Sequence, residues 1–119
     1  VASIFGLEAC DNNVAYNVSK GGIIQLTRSI AADYASCGIR CNSVAPGLIE
    51  TAMTKDIALA PQLHEKFISW HLQGRAGRAD EVASVIDFLA SSAASFVNGQ
   101  TIAVDGGFSA GRKFAAHPK

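Results

Sequence analysis

Tyr16 and Lys20 stand four residues apart, a spacing that puts both on one face if the stretch is helical. A phenol beside an ammonium is a device for moving a proton. A free phenol keeps its proton until about pH 10, so acid–base work near neutrality requires a stabilised phenolate. Lowering that threshold to about pH 7 takes about 4 kcal/mol. An ammonium about 4 Å away supplies about 4 kcal/mol at an effective dielectric of about 20. One lysine is enough. By itself the spacing is common, since many such pairs are a half-buried tyrosine beside a solvated lysine. It gains weight from Ser3, thirteen residues before Tyr16, and from Pro46-Gly47 and Thr51, which follow a short apolar run. Ser3 also admits a plainer role as a hydroxyl capping a loop, and Ile49 with Thr51 as a turn with a hydroxyl cap. Asn17 and Ser19 read as spacers.

These groups need elements to carry them. Residues 1–5 read as the tail of a buried strand ended by Gly6. Asp11-Asn12-Asn13 leads into a helix over residues 14–36. Ile23, Leu26, Ile30 and Tyr34 form its apolar stripe, widened by Ile24, Ala31 and Ala35. Gly21-Gly22 inside it costs about 1 kcal/mol per glycine relative to alanine, so a close neighbour is expected there. Gly38 suits a left-handed helix end.

Residues 39–45 make a second strand closed by Pro46-Gly47, and a strand–helix–strand of this length implies a parallel pair. Pro61 begins a short helix with Leu63, Phe67 and Trp70 at helical steps, within a flap over about residues 52–73. Asp80-Glu81 opens a further helix carrying Val82, Val85, Ile86 and Leu89. Residues 100–104 form a last strand, after the Asn98-Gly99 turn and before Asp105-Gly106-Gly107. The tail over about 111–119 is basic and expected to fray. The result is an α/β fold with three parallel strands. Ligands of such sheets bind outside the strands' carboxyl ends, where Ser3 and Pro46-Gly47 are expected.

Composition narrows the function classes. A chain of 119 residues, 49% hydrophobic and 17% charged, fits one globular domain or part of one. Ten basic and ten acidic residues balance, which argues against a nucleic-acid partner or a polybasic membrane surface. No apolar run is long enough to cross a bilayer, and no secretory start is visible, so a cytoplasmic location is expected. Cys10, Cys37 and Cys41 read as reduced, buried thiols. His64, His71 and His117 lack ligand spacing, so no metal site is expected. The chain begins at Val1 and its single methionine is Met53, so it is not expected to start where translation starts.

Ser3, Tyr16 to Lys20, Gly38-Ile39-Arg40-Cys41-Asn42-Ser43-Val44-Ala45-Pro46-Gly47, Thr51, Gly74-Arg75-Ala76-Gly77-Arg78, and Asn98-Gly99 through Val104-Asp105-Gly106-Gly107 occur in that order. This set resembles the C-terminal half of a short-chain dehydrogenase/reductase over nearly the whole chain. The resemblance implies that residues 1–119 are a partial Rossmann-type domain, the active-site half of a doubly wound parallel sheet. It implies an NAD- or NADP-dependent oxidoreductase interconverting a secondary alcohol and a ketone by hydride transfer. Similar sequences include 3-oxoacyl-carrier-protein reductases and dehydrogenases of sugars, steroids and other secondary alcohols. By resemblance Tyr16 is the general acid/base, Lys20 favours its phenolate and binds the nicotinamide ribose, and Ser3 hydrogen-bonds the substrate oxygen. Tyr16, Lys20, Pro46, Gly47, Ile49 and Thr51 are the implied cofactor-binding residues. Met53, Phe67 and Trp70 suggest an apolar substrate wall. A homo-oligomer, dimer or tetramer, is implied for the full-length form, with the helix over 14–36 packing on its equivalent.

Two family features do not occur here: a glycine-rich phosphate loop and the asparagine of a proton relay. Gly74-Arg75-Ala76-Gly77 and Gly106-Gly107 do not follow a strand and open a helix as a dinucleotide loop must. The isolated chain is therefore expected to be inactive, to bind NAD(P) very weakly and to associate through an exposed strand edge. The alternative reading is a non-catalytic fragment that keeps only association surfaces.

Overall fold

A computed structural model describes residues 1–54 and 60–115, with Met53 described by its backbone alone. Its frame is a parallel pair, β1 (Ser43–Pro46) beside β4 (Thr101–Val104), with Ser43 opposite Thr101 and Pro46 opposite Val104. The strand expected over 39–45 starts late because polar side chains do the work before it. Arg40 donates to Leu89 O and Ser91 O, at 2.9 and 3.3 Å. The Asn98 side chain accepts the Cys41 amide at 2.9 Å, and Asn42 bridges Val97 O and the Gln100 amide at 2.9 and 3.0 Å. These bonds draw the approach to β1 onto the turn before β4. A second, two-residue parallel pair joins β2 (Ile49–Glu50) to β3 (Gly77–Arg78).

The strand expected over residues 1–5 is not one. The Ala2 amide donates to Val44 O at 2.8 Å, so the chain starts alongside β1. Ser3 then turns it into a short helix, α1 (Ile4–Leu7), by accepting the Phe5 amide at 3.1 Å. An N-cap hydroxyl outweighs the strand preference of so short an apolar run. Gly6 therefore lies inside a helix rather than ending a strand.

Helix α2 (Val14–Tyr34) continues into a 3-10 turn, Ala35–Cys37, and stops at Gly38, whose φ of 77° is left-handed as expected. Its core face is Ile24, Thr27 and Ala31, not the stripe of larger residues. Leu26 and Tyr34 of that stripe are 55% and 48% exposed. The neighbour expected at Gly21-Gly22 is α1, met at Gly21, where a Cβ would stand 3.7 Å from Gly6 O. A Cβ on Gly22 would meet open space, whereas one on Gly6 would stand 2.7 Å from Lys20 O. The tight contact belongs to α1 against α2.

Helix α3 (Pro61–Ser69) has Pro61 in its first turn, and α4 (Ala79–Ala90) has Asp80 and Glu81 in its own. Val82 and Leu89 of α4 bury against Val44, with Ile49, Val85, Val97, Ile102 and Val104 packed around them. The three thiols are free but not buried: Cys37 is exposed and the other two are half-buried. The tail is pinned at its start, because Arg112 donates to Phe108 O and to Glu8 at 3.1 Å. The rest of the expected fray, 116–119, and the middle of the expected flap, 55–59, lie outside the described residues. Among the described residues no cluster could hold a metal ion, and no helix is long and apolar enough to cross a membrane.

Arg75 grips Glu81 with two bonds of 2.8 and 2.9 Å, and the Arg78 amide donates to the same carboxylate at 3.0 Å. The Arg75 hydrogen bond first, and the Arg78 amide next, lower the Glu81 carboxyl from 4.5 to about 2. A carboxyl depressed in the folded state adds stability above its ordinary value, and loses it as pH falls through the folded one. Replacing Glu81 by Gln should therefore lower the urea midpoint above pH 4.5, with the difference closing towards pH 2. An equal difference at pH 6 and pH 2.5 would show that the ion pair is not its source.

Candidate active site

Parallel β1 and β4 end at the same edge, and the Gly47 amide extends the ladder by one bond to Val104 O at 3.0 Å. An open cleft of about 450 Å³ forms there. All seven residues singled out from the sequence line it: Ser3, Tyr16, Lys20, Pro46, Gly47, Ile49 and Thr51.

Tyr16 sits in the first turn of α2, 42% exposed, with Phe5 edge-on at 6.5 Å. Lys20 follows one turn later on the same face. Its Nζ lies 5.6 Å from the centre of the Tyr16 ring and donates to Val1 O at 3.4 Å. The helix thus delivers a phenol and an ammonium to one wall. Ser3 is 6% exposed, and its Oγ is the N-cap of α1. The plainer capping role is real, yet it uses only a lone pair and leaves the O–H to donate.

The opposite rim is built from backbone. A Cβ on Gly47 would stand 2.6 Å from His71 Nε2 and 3.0 Å from Asp105 Cα, so only glycine fits. Thr51 and Thr54 form a turn in which Thr54 Oγ1 accepts the Thr51 amide and donates to Thr51 O, both at 2.9 Å. The hydroxyl cap is therefore Thr54, and the Thr51 hydroxyl is not spent on it. Lys20 and Thr51 offer donors to sugar or phosphate oxygens. Pro46 and Ile49 offer an apolar surface to a flat ring.

Several participants escaped sequence reasoning. Ala79, Val82, Ala83 and Ile86 of α4 form a further wall of the cleft. Their i, i+3, i+4, i+7 spacing is a usable signal, but the larger residues Val82, Val85, Ile86 and Leu89 dominate the pattern and share only Val82 and Ile86 with it. His71 is 2% exposed and bonded through both ring nitrogens, and nothing in its spacing announces this. Asn17 is more than a spacer: it donates to Cys10 O at 2.7 Å and pins the loop before α2. Phe67 and Trp70 do not line this cleft. Phe67 stacks on Phe5 at 5.9 Å, and both pack against Phe108. The side chain of Met53, the third expected wall residue, lies outside the described residues.

Residues 1–109 match the family model described as enoyl-(acyl carrier protein) reductase. A relative from Xanthobacter autotrophicus, 2-(R)-hydroxypropyl-CoM dehydrogenase, is 43% identical over 110 residues, 92% of this chain and 44% of that protein. A protein from Agrobacterium tumefaciens, solved with bound NADP, superposes with a TM-score of 0.90 at 32% identity, covering 92% of this chain and 45% of its own. A 4-hydroxyisoleucine dehydrogenase complexed with NADH gives a TM-score of 0.88 at 34% identity, covering 93% and 46% respectively. The chain thus spans less than half the length of these relatives.

The α1–α2 contact that sets Lys20 is open to test. Alanine in place of Gly6 gains about 1 kcal/mol of helix propensity. Its Cβ would meet Lys20 O at 2.7 Å, and overpacking against backbone costs about 1–3 kcal/mol. The clash should win, so Gly6→Ala lowers the denaturation midpoint. A midpoint equal to or above the parent's would show that the two helices stand farther apart.

Proposed function

The chain belongs to the short-chain dehydrogenase/reductase family, and from that premise we propose that the whole protein interconverts a small secondary alcohol and a ketone with NAD or NADP. The observation that carries this reading is the convergence of Ser3, Tyr16 and Lys20 on one cleft at the carboxyl ends of parallel strands. In alcohol oxidation, Tyr16 Oη takes the hydroxyl proton, and in ketone reduction it returns one. The Lys20 ammonium, 5.6 Å from the ring centre, would face the negative charge that this exchange places on Tyr16 Oη. Ser3 donates its remaining O–H to the substrate oxygen, where charge develops. Bound nicotinamide supplies or accepts the hydride. Lys20 would hold its ribose hydroxyls, and Pro46, Gly47, Ile49 and Thr51 its carboxamide and adjacent phosphate. The NADP- and NADH-bound relatives support either cofactor.

The exposed Leu26 and Tyr34 face of α2 supports association of like subunits. It is also what a non-catalytic association fragment would keep, so the decisive experiment addresses the proton donor. In the whole protein, Tyr16→Phe should cost on the order of 10²–10⁴ in kcat with little change in folding. Lys20→Met should raise the KM for the cofactor. Turnover by Tyr16→Phe within tenfold of the parent would overturn the acid–base assignment, and absence of turnover in the parent itself would favour the association fragment.

A further inference from the structure

The cleft rim over residues 46–51 is fastened to the rest of the molecule at Gly47 and Leu48. Two of its bonds are backbone bonds. The Gly47 amide donates to Val104 O at 3.0 Å, and the Gly77 amide donates to Leu48 O at 2.8 Å. The third is different in kind: the Leu48 amide donates to His71 Nε2 at 3.0 Å. An imidazole nitrogen that accepts is unprotonated, so Nδ1 carries the hydrogen and donates to Phe67 O at 2.9 Å. Phe67 and Phe108 pack against the ring, each 5.2 Å away between centroids. Gly47 lies so close that a Cβ there would meet Nε2 at 2.6 Å.

A buried amide needs an acceptor, and here the acceptor is a side chain whose position is set by α3 and its aromatic neighbours. We propose that His71 is a positioning residue for the cleft: its neutral imidazole, by accepting the Leu48 amide, fixes the rim that carries Pro46, Gly47, Ile49 and Thr51. The inference rests on the reading that this rim binds the cofactor. His71 itself touches neither cofactor nor substrate. Its effect is on how well the rim is preorganised, which acts on ground state and transition state alike and so appears in KM rather than kcat.

The test uses the whole protein and two substitutions that separate the acceptor from the bulk. Gln at position 71 keeps an oxygen within reach of the Leu48 amide; Leu keeps volume and no acceptor. His71→Leu should raise the KM for NAD(P) about tenfold with kcat changed much less, the size expected for stranding one buried amide. His71→Gln should recover most of that loss. Hydrogen exchange at the Leu48 amide should follow the same order, faster by about tenfold in the Leu variant. If His71→Leu does not fold, Gly47→Ala pushes the rim off the imidazole and should give the same KM increase. Parent-like KM in His71→Leu or Gly47→Ala, or equal loss in folded Gln and Leu variants, would overturn the proposal. Tyr16→Phe is measured alongside: turnover retained there sinks the active-site reading itself, and with it this inference, while the expected loss of turnover keeps the two failures apart.

Discussion

The parallel pairing of Ser43–Pro46 with Thr101–Val104 is the constraint from which the rest follows. Parallel strands cannot be joined by a tight turn, so the intervening chain must cross a face of the pair and return. That crossing places α4 against Val44, where Val82 and Leu89 bury. It also sends both strands out at one edge. Among the described residues the ladder between them ends at the Gly47 amide, and the edge outside the strands' carboxyl ends is where small molecules bind in such sheets. The cleft is a consequence of topology before it is a matter of side chains.

What gives that cleft its chemistry is the short helix α1. Ser3 caps it, Phe5 leans on Tyr16, and Gly6 lets it approach the Lys20 carbonyl. One four-residue element thus sets the positions of all three candidate groups relative to one another. The cap and the proposed contact with substrate do not compete. A serine hydroxyl has two lone pairs and one hydrogen, and the cap takes one lone pair. Tying the oxygen down narrows where the remaining O–H can point, which suits a group meant to meet a developing charge.

Much of this was legible in the sequence, and the misses have definite causes. The long helix, its end at Gly38, the acidic opening of α4 and the last strand were readable because periodicity and terminal residues agreed. Residues 1–5 misled because five residues are too few to distinguish a strand from a capped helix, and Ser3 was weighed for chemistry rather than as a helix start. The stripe on α2 was misjudged because two apolar faces compete there. The chain's own core takes the one with Thr27 and Ala31, whose small side chains permit close packing. His71 was invisible for a different reason. Its partner Leu48 is 23 residues away, and only tertiary structure brings an amide to an imidazole. Ser3, Tyr16, Lys20 and the rim could be singled out because their order and spacing are local or belong to a family pattern, and the fold brings them to one cleft.

The aromatic cluster changes what the segment around α3 can do. A flap that closes over a ligand must hinge away from the body, yet Phe67 stacks on Phe5 and packs against Phe108, while Trp70 touches both Phe67 and Phe108. Such ring pairs contribute about 0.5–1.5 kcal/mol each beyond their buried area, and several would break together. Phe5 is also the residue that meets Tyr16. A displacement of α3 therefore has two courses: it gives up the cluster, or it drags α1 and disturbs Tyr16. Either is costly, and in the described arrangement α3 packs as a buttress for α1, and through it for Ser3 and Tyr16.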